Sequence, residues 1–422
     1  MSHKFLPSCT SIFSFSALFP VFTLFLLGGC ATMPATNVAD GVAPILAQRE
    51  FSENELLNVS IKIFEPGELP TDQEEQSGLS LEIREAEARF VPIHLKYTMQ
   101  RTGYWGAVRV VPDDDVGTEV LIRGTIHQSD GETLSLTIEA FDARNIMWLR
   151  KTYTETAKPD EHHHTEPEKQ DTFQDLFNTI ANDLAMYRAR LSPAEIREIK
   201  QVAELRYGAS MAPDALGSYL YLNPNNRYQV VRLPDRDDPM LARIRAVHSR
   251  DDMLVDSING HYDLYYREMW EPYNNWRSFR SEEVSAMRKL EAEALSRQLL
   301  GIASIIGAIA ISAAGDNDLL YQTADLRTLM VYGGAAAIYS GVQKREETEM
   351  NKVAIKELGE SFSSEAKPLV LDVEGETVRL TGSAEQQYTT WRRLLKQLYA
   401  KETGLPLPEE PVVPTNDKTG NP

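Results

Sequence analysis

Three consecutive histidines, His162, His163 and His164, stand between Glu161 and Glu166 and carry the strongest metal-ligating chemistry in the chain. Zinc centres draw their imidazole and carboxylate ligands from separated positions on rigid elements. Adjacent histidines on a polar stretch cannot all turn to one tetrahedral ion without strain. The run therefore reads as a solvated linker with adventitious metal affinity, and no cofactor is expected. Three acidic groups, Asp113-Asp114-Asp115, Asp235 with Asp237-Asp238, and Asp251-Asp252, have the carboxylates for acid–base work or for calcium. None has the alternating aspartates and glycine of an EF-hand loop. Among 62 acidic and 43 basic residues, acidic turns are the default. The motifs Gly-x-Ser-x-Gly, His-Glu-x-x-His and Gly-x-x-x-x-Gly-Lys do not occur in the sequence, so the nucleophiles and phosphate loops they mark are not signalled.

The remaining nucleophile is a thiol. Of two cysteines, Cys9 lies in the N-terminal leader and Cys30 directly follows its apolar run, Ile12 to Leu27. Lys4 ahead of that run and the small residues Gly28 and Gly29 behind it outline a secretory signal. The run is shorter than the roughly 20 residues of a membrane-spanning helix and contains Pro20. The sequence Leu27-Gly28-Gly29-Cys30 resembles the lipobox of bacterial lipoproteins. That resemblance implies a thiol carrying fatty acid, with residues 1–29 removed as a signal peptide. It also implies attachment to the cell envelope, and Ala31 after the cysteine favours the outer membrane, facing the periplasm.

With Cys9 removed, a single thiol excludes disulfides within one chain, so stability rests on a packed core. A net charge of −19 argues against nucleic-acid partners and reads as a solubility feature. The length suffices for two or three domains. Residues 30–54 are small and polar, as in a tether.

Over residues 55–156, Val59, Ile61 and Ile63 alternate as a strand. Ile83 to Met99 follow as one helix broken near Pro92, or as two short helices. Ala107 to Val111 form a strand. Val120 to Ile126, Leu134 to Ala140 and Met147 to Tyr153 form a meander with turns at Ser129-Asp130-Gly131-Glu132 and Asp142-Ala143-Arg144-Asn145.

The stretch Gly103-Tyr104-Trp105-Gly106, then Val120-Leu121-Ile122-Arg123-Gly124-Thr125-Ile126, Leu134-Ser135-Leu136-Thr137-Ile138, Asp142-Ala143 and Trp148 resembles the N-terminal domain of the translocation protein TolB. It also resembles auxiliary lipoproteins of the envelope. The likeness covers residues 56–154 and implies a binding and assembly module, a small sheet backed by helices.

Residues 157–171 read as a charged linker and 172–362 as a mainly helical region. A long amphipathic helix there carries Met240, Ile244, Val247, Leu254, Ile258, Tyr262, Tyr265 and Met269, with room for a break at Asp251. Glu271-Pro272 ends it, and Ser281 with Glu282 and Glu283 starts the next. Arg243, Arg245 and Arg250 read as solvated charges paired with aspartates.

Two apolar runs, Leu299 to Ala314 and Leu329 to Val342, place small residues four apart: Ala303 and Gly307, then Gly333, Ala337 and Gly341. Such spacing lets helix backbones approach closely. As helices they reach about 24 and 21 Å, short of a ~30 Å hydrocarbon core. A buried hairpin or self-association is favoured over insertion. Residues 363–403 read as a β-hairpin and a helix opened by a Ser383/Gln386 capping box. Residues 404–422 form a proline-rich acidic tail, read as disordered.

The expected fold is α+β: an N-terminal mixed sheet with helices, a mainly α-helical region, and a C-terminal hairpin plus helix. The expected function is a non-catalytic scaffold or accessory factor, anchored to the membrane by lipid, with other envelope proteins and another copy of itself as partners. The alternatives are a cell-wall-acting enzyme using carboxylates, or a secretion or pore subunit inserting residues 299–342.

Overall fold

The computed structural model describes residues 35–69, 81–114, 116–158, 161–163, 165–235, 237–312, 350–360, 369–373 and 376–404. Alternating aliphatic residues build a six-stranded sheet. Its strands are β1 (Thr36–Asn37), β2 (Leu57–Lys62), β3 (Trp105–Val111), β4 (Val120–Ser129), β5 (Thr133–Asp142) and β6 (Met147–Thr156). Their order is β1-β6-β5-β4-β2-β3. Strand β2 runs parallel to both β3 and β4, whereas β4, β5 and β6 form an antiparallel meander. Period-two side chains put Val59, Ile61, Val120, Ile122, Leu136, Ile138 and Tyr153 in one dry core. The architecture is the expected α+β arrangement.

Helix α1 (Leu81–Arg101) joins β2 to β3 and runs unbroken through Pro92. Proline has no N–H to give to the carbonyl of residue i−4. Here that carbonyl, on Ala88, accepts instead from the Phe64 N–H at 2.8 Å, so the helix continues without an orphaned acceptor. Helices α2 (Gln174–Ala189) and α3 (Pro193–Met211) follow. Phe173, Leu176, Phe177, Ile180 and Leu184 of the α2 region, with Ile196, Ile199 and Val202 of α3, join the sheet's core. A short helix α4 (Pro213–Leu216) and a hairpin of β7 (Leu220–Leu222) and β8 (Tyr228–Val230) lead to the dominant helix, α5 (Pro239–Ser312).

Helix α5 is 74 residues long, a contour of about 111 Å at 1.5 Å per residue. It passes through Asp251 and Pro272 without ending, and Ser281 lies inside it. The room left for a break at Asp251 is not used, and the expected stop at Glu271-Pro272 and new start at Ser281 are corrected. The apolar stripe continues past Pro272 through Tyr273 and Trp276, and that packing holds the helix together. Residues 350–360 are helical (α6). Strands β9 (Leu369–Val373) and β10 (Glu376–Leu380) form an antiparallel hairpin, and α7 (Ala384–Thr403) closes the described chain. The Ser383/Gln386 capping box is formed in both directions.

Two further corrections concern segments expected to be loose. Residues 35–54 of the expected tether lie along the surface, attached by hydrogen bonds. Beyond the two-residue strand β1, Asp175 accepts from the N–H groups of Gly41 and Val42, and Asn182 accepts from Ile45. The expected charged linker 157–171 is also built in. It holds a turn of 3-10 helix at Glu161–His163, a two-way backbone pairing of Glu166 with Gln170, and buried Ala157, His162 and Asp171. The described residues from Ala35 onward belong to one compact unit. The C-terminal hairpin and α7 share a core with α1 and α5 through Leu380, Tyr388, Trp391, Leu395 and Tyr399.

Candidate functional site

The chemistry-bearing side chains converge where α5 lies against α1 and the sheet. The edge strand β3 has unpaired backbone groups on its outer side. The Asn259 side chain of α5 supplies both partners for Val110, accepting from its N–H at 2.8 Å and donating to its carbonyl at 3.0 Å. Beside it, Arg109 of β3 binds Asp252 at 3.0 Å and Asp256 at 2.6 Å, both on α5. A helix thus covers an edge that would otherwise recruit another strand.

One turn further on, Lys96 pairs with Asp263, which also accepts from the Tyr97 hydroxyl at 2.8 Å. Tyr266 then reaches His94 Nδ1 at 2.7 Å, and Gln174 Oε1 meets His94 Nε2 at 3.0 Å. Phe90 stacks on Tyr266 at 4.6 Å between ring centroids. Beyond Pro272, the Tyr273 hydroxyl donates to Glu87 at 2.8 Å, and Ser129 of β4 donates to the same oxygen at 2.5 Å. Arg84 pairs with the other oxygen of Glu87 at 3.3 Å. Last, Arg277 grips Asp171 through two bonds of 2.9 and 2.7 Å, with its guanidinium over the Tyr273 ring at 4.4 Å.

Glu87, His94, Asp171 and Arg277 are each at most 2% exposed. Burial pushes the Glu87 carboxyl up, with Arg84 opposing, and pushes the His94 imidazole down, favouring its neutral form. Burial works against the Asp171 charge too, but the Arg277 guanidinium prevails and its pKa falls to about 2. Such a row can fix register and orientation between helix and sheet. Its inner members, Glu87, His94, Asp171 and Arg277, are closed to solvent, whereas Asp252 and Asp256 at its outer end are exposed.

The β4–β5 hairpin is fitted to the same helix. Asp130 accepts from the N–H groups of Glu132 and Thr133, and Gly131 takes φ +89°. A Cβ at Gly131 would stand 2.6 Å from the Arg277 carbonyl oxygen. Only glycine permits both that backbone angle and that approach.

The sequence-singled residues are dispersed. His162 is buried in the 3-10 turn, His163 is in the same turn, and His164 lies outside the described residues. Glu161 accepts from the Lys158 N–H and Glu166 pairs with Lys169. No group of three or more potential metal ligands occurs among the described residues. Asp113 pairs with Lys62 and Asp114 with Arg123; Asp115 lies outside the described residues. Asp238 accepts from the Met240 N–H at the start of α5. Asp251 is buried against Arg392, and Asp252 meets Arg109. Arg245 and Arg250 pair with glutamates, Glu204 and Glu402, rather than the aspartates expected.

Cys30, Gly333, Ala337 and Gly341 lie outside the described residues. Ala303 and Gly307 lie on the described backbone of α5. No described helix is long and apolar enough to cross a membrane. Sequence reasoning missed Asp171, Glu87, Arg277 and Asn259, because single charged or amide residues in an apolar stripe look like solvated positions. The usable signal was the three-or-four spacing of Tyr262, Tyr266, Met269, Tyr273 and Trp276, which ignores Pro272.

No family model, curated protein or solved structure matches the chain.

Proposed function

We propose that this chain is an envelope lipoprotein, acylated at Cys30, that works as a non-catalytic scaffold or accessory factor in an envelope protein assembly. The observation that carries the reading is the buried row joining α5 to α1 and the sheet. It fixes a helix of 74 residues, with a contour of about 111 Å, to α1 and the sheet in one register. A long helix locked in this way suits a part that holds other proteins at set positions.

The attached strap starts at residue 35, so in this reading only residues 31–34 separate the acylated thiol from it. The lipobox resemblance supplies the anchor, and the likeness of residues 56–154 to envelope assembly modules supports the class of role.

Two measurements test this. Mass spectrometry of the membrane-associated protein is expected to give an N-terminal peptide starting at acylated Cys30. An unprocessed Met1 terminus in a cytosolic fraction overturns the anchor. Crosslinking in native envelopes is expected to recover specific partners that are lost in Cys30→Ala. Recovery of none in either sample overturns the scaffold role.

A further inference from the structure

A cleft of about 270 Å³ opens between the β3–β4 loop, the end of α3 and the face of α7. It is separate from the buried row. The α7 wall presents Thr389, Arg392, Arg393 and Lys396, at spacings that place them on one helical face. Arg392 is already committed: it pairs with buried Asp251 at 3.3 Å, donates to the Tyr388 hydroxyl oxygen at 2.8 Å, and lies over the Tyr388 ring. Arg393 is exposed and Lys396 half-buried, and neither forms an ion pair among the described residues. In a chain of net charge −19, two unpaired cations on one wall of a concavity form a local site for negative charge.

The other polar groups in the cleft act in the opposite sense. Ser210 donates its hydroxyl hydrogen to the Tyr207 carbonyl at 2.7 Å, and Thr389 donates to the Glu385 carbonyl at 2.9 Å. Both oxygens are left with lone pairs to offer. Asp113 and Asp114, on the facing loop, have their charges met by Lys62 and Arg123, and as carboxylates they too only accept. The cleft therefore combines two cationic donors that have no ion pair among the described residues with four acceptor groups. A bare anion would satisfy the first set and be repelled by the two aspartates. A neutral polyol would satisfy the second set and leave the cations without a counter-charge.

We infer that the cleft between the β3–β4 loop and α7 binds a small organic oxyanion that also carries hydroxyl or ammonium donors. The oxyanion meets Arg393 and Lys396, and the donors meet Ser210, Thr389 and the two aspartates. The volume admits a ligand of metabolite size rather than a polymer. The inference does not depend on the lipoprotein reading.

The test is calorimetric titration of the full chain with glycerol 3-phosphate and with glycerate. Methyl phosphate, which has no hydroxyl donors in its organic part, and uncharged glycerol serve as controls. Saturable binding of at least one of the two hydroxylated anions is expected, with methyl phosphate and glycerol each about tenfold weaker or more. Arg393→Ala and Lys396→Ala are each expected to weaken binding about tenfold while the thermal midpoint stays in place, since neither residue is buried. Failure of both hydroxylated anions to bind overturns the inference. Equal binding of methyl phosphate, or binding unaffected by both substitutions, also overturns it and identifies an adventitious ion only.

Discussion

The two cores of this molecule are made of different materials. The sheet core is mainly aliphatic: Val59, Ile61, Ile122, Leu136 and Ile138 meet Leu176, Ile180 and Val202, and its buried ion pair, Asp142 with Arg144, stands at the edge beside Trp148. The core between α1 and α5 is aromatic and polar. Phe90, Tyr262, Tyr266, Tyr273 and Trp276 are threaded by His94, Glu87, Asp171 and Arg277. Burial of apolar area holds the first together without regard to direction. The second gains little net stability from its charges, because desolvation offsets their attraction. What it gains is a unique register for a long helix against a sheet edge, since every polar partner must find its mate.

The sharpest way to break this comparison is at the buried ion pair. Asp171→Ala leaves the Arg277 guanidinium buried and unpaired and is expected to cost about 3–5 kcal/mol in urea unfolding. Replacing both partners, Asp171→Leu with Arg277→Met, is expected to recover most of that loss. If the single and double variants are equally unstable, the pair supplies more than register.

In the dry core, Ile122→Ala is expected to cost about 3 kcal/mol by lost transfer energy and a residual cavity, with no such rescue available. Gly131→Ala is expected to cost about 2 kcal/mol or more, combining a left-handed backbone angle with contact against the Arg277 carbonyl. The loss is predicted to appear as a parallel rise in amide exchange along α5 near residue 277 and along the strands β4 and β5 that carry the turn.

A pH series sharpens the comparison more gently. Glu155 of β6 is buried, and although the Leu176 N–H at 2.6 Å opposes it, burial raises its pKa to about 8. Its folded value lies above the unfolded one near 4.3. The stabilising contribution of its protonated form is therefore complete below about pH 4 and is lost as pH rises toward 8. Stability is expected to fall by up to about 1.4 kcal/mol per pH unit inside that window. Glu155→Gln, which keeps an acceptor for Leu176, is expected to flatten that slope. Asp171 acts on the other side: its depressed pKa makes its contribution vanish as pH falls from about 4 toward 2. The smallest effect belongs to the surface. Arg245→Ala breaks an exposed pair with Glu204 and is expected to change stability by less than about 0.5 kcal/mol.

The dry core was legible in the sequence because alternation is a local signal. Val120, Ile122, Gly124 and Ile126 declare their shared face within one strand, and Asp130-Gly131 marks the turn to the next. The capping box at Ser383 is equally local. The polar core was not legible, because its meaning is pairwise and distant. Asp171 looks like the end of a charged linker until Arg277, 106 residues later, is placed against it. The surface strap at residues 35–54 is held by side chains of α2, and nothing in its own composition announces them. Pro272 misled for a related reason. Proline forbids one backbone bond, but the stripe that buries Tyr273 and Trp276 outweighs that loss. The cleft beside α7 escaped notice because its walls come from three separate parts of the chain.

The central physical claim is that α5 and the sheet form one cooperative unit. Native-state hydrogen exchange on the amides of residues 254–280, compared with those of β4 and β5, measures this directly. One unit predicts the same opening free energy for both sets and a parallel fall of both in Asp171→Ala. Exchange of the helix through a separate, lower-energy opening, while the strands keep full protection, would contradict it.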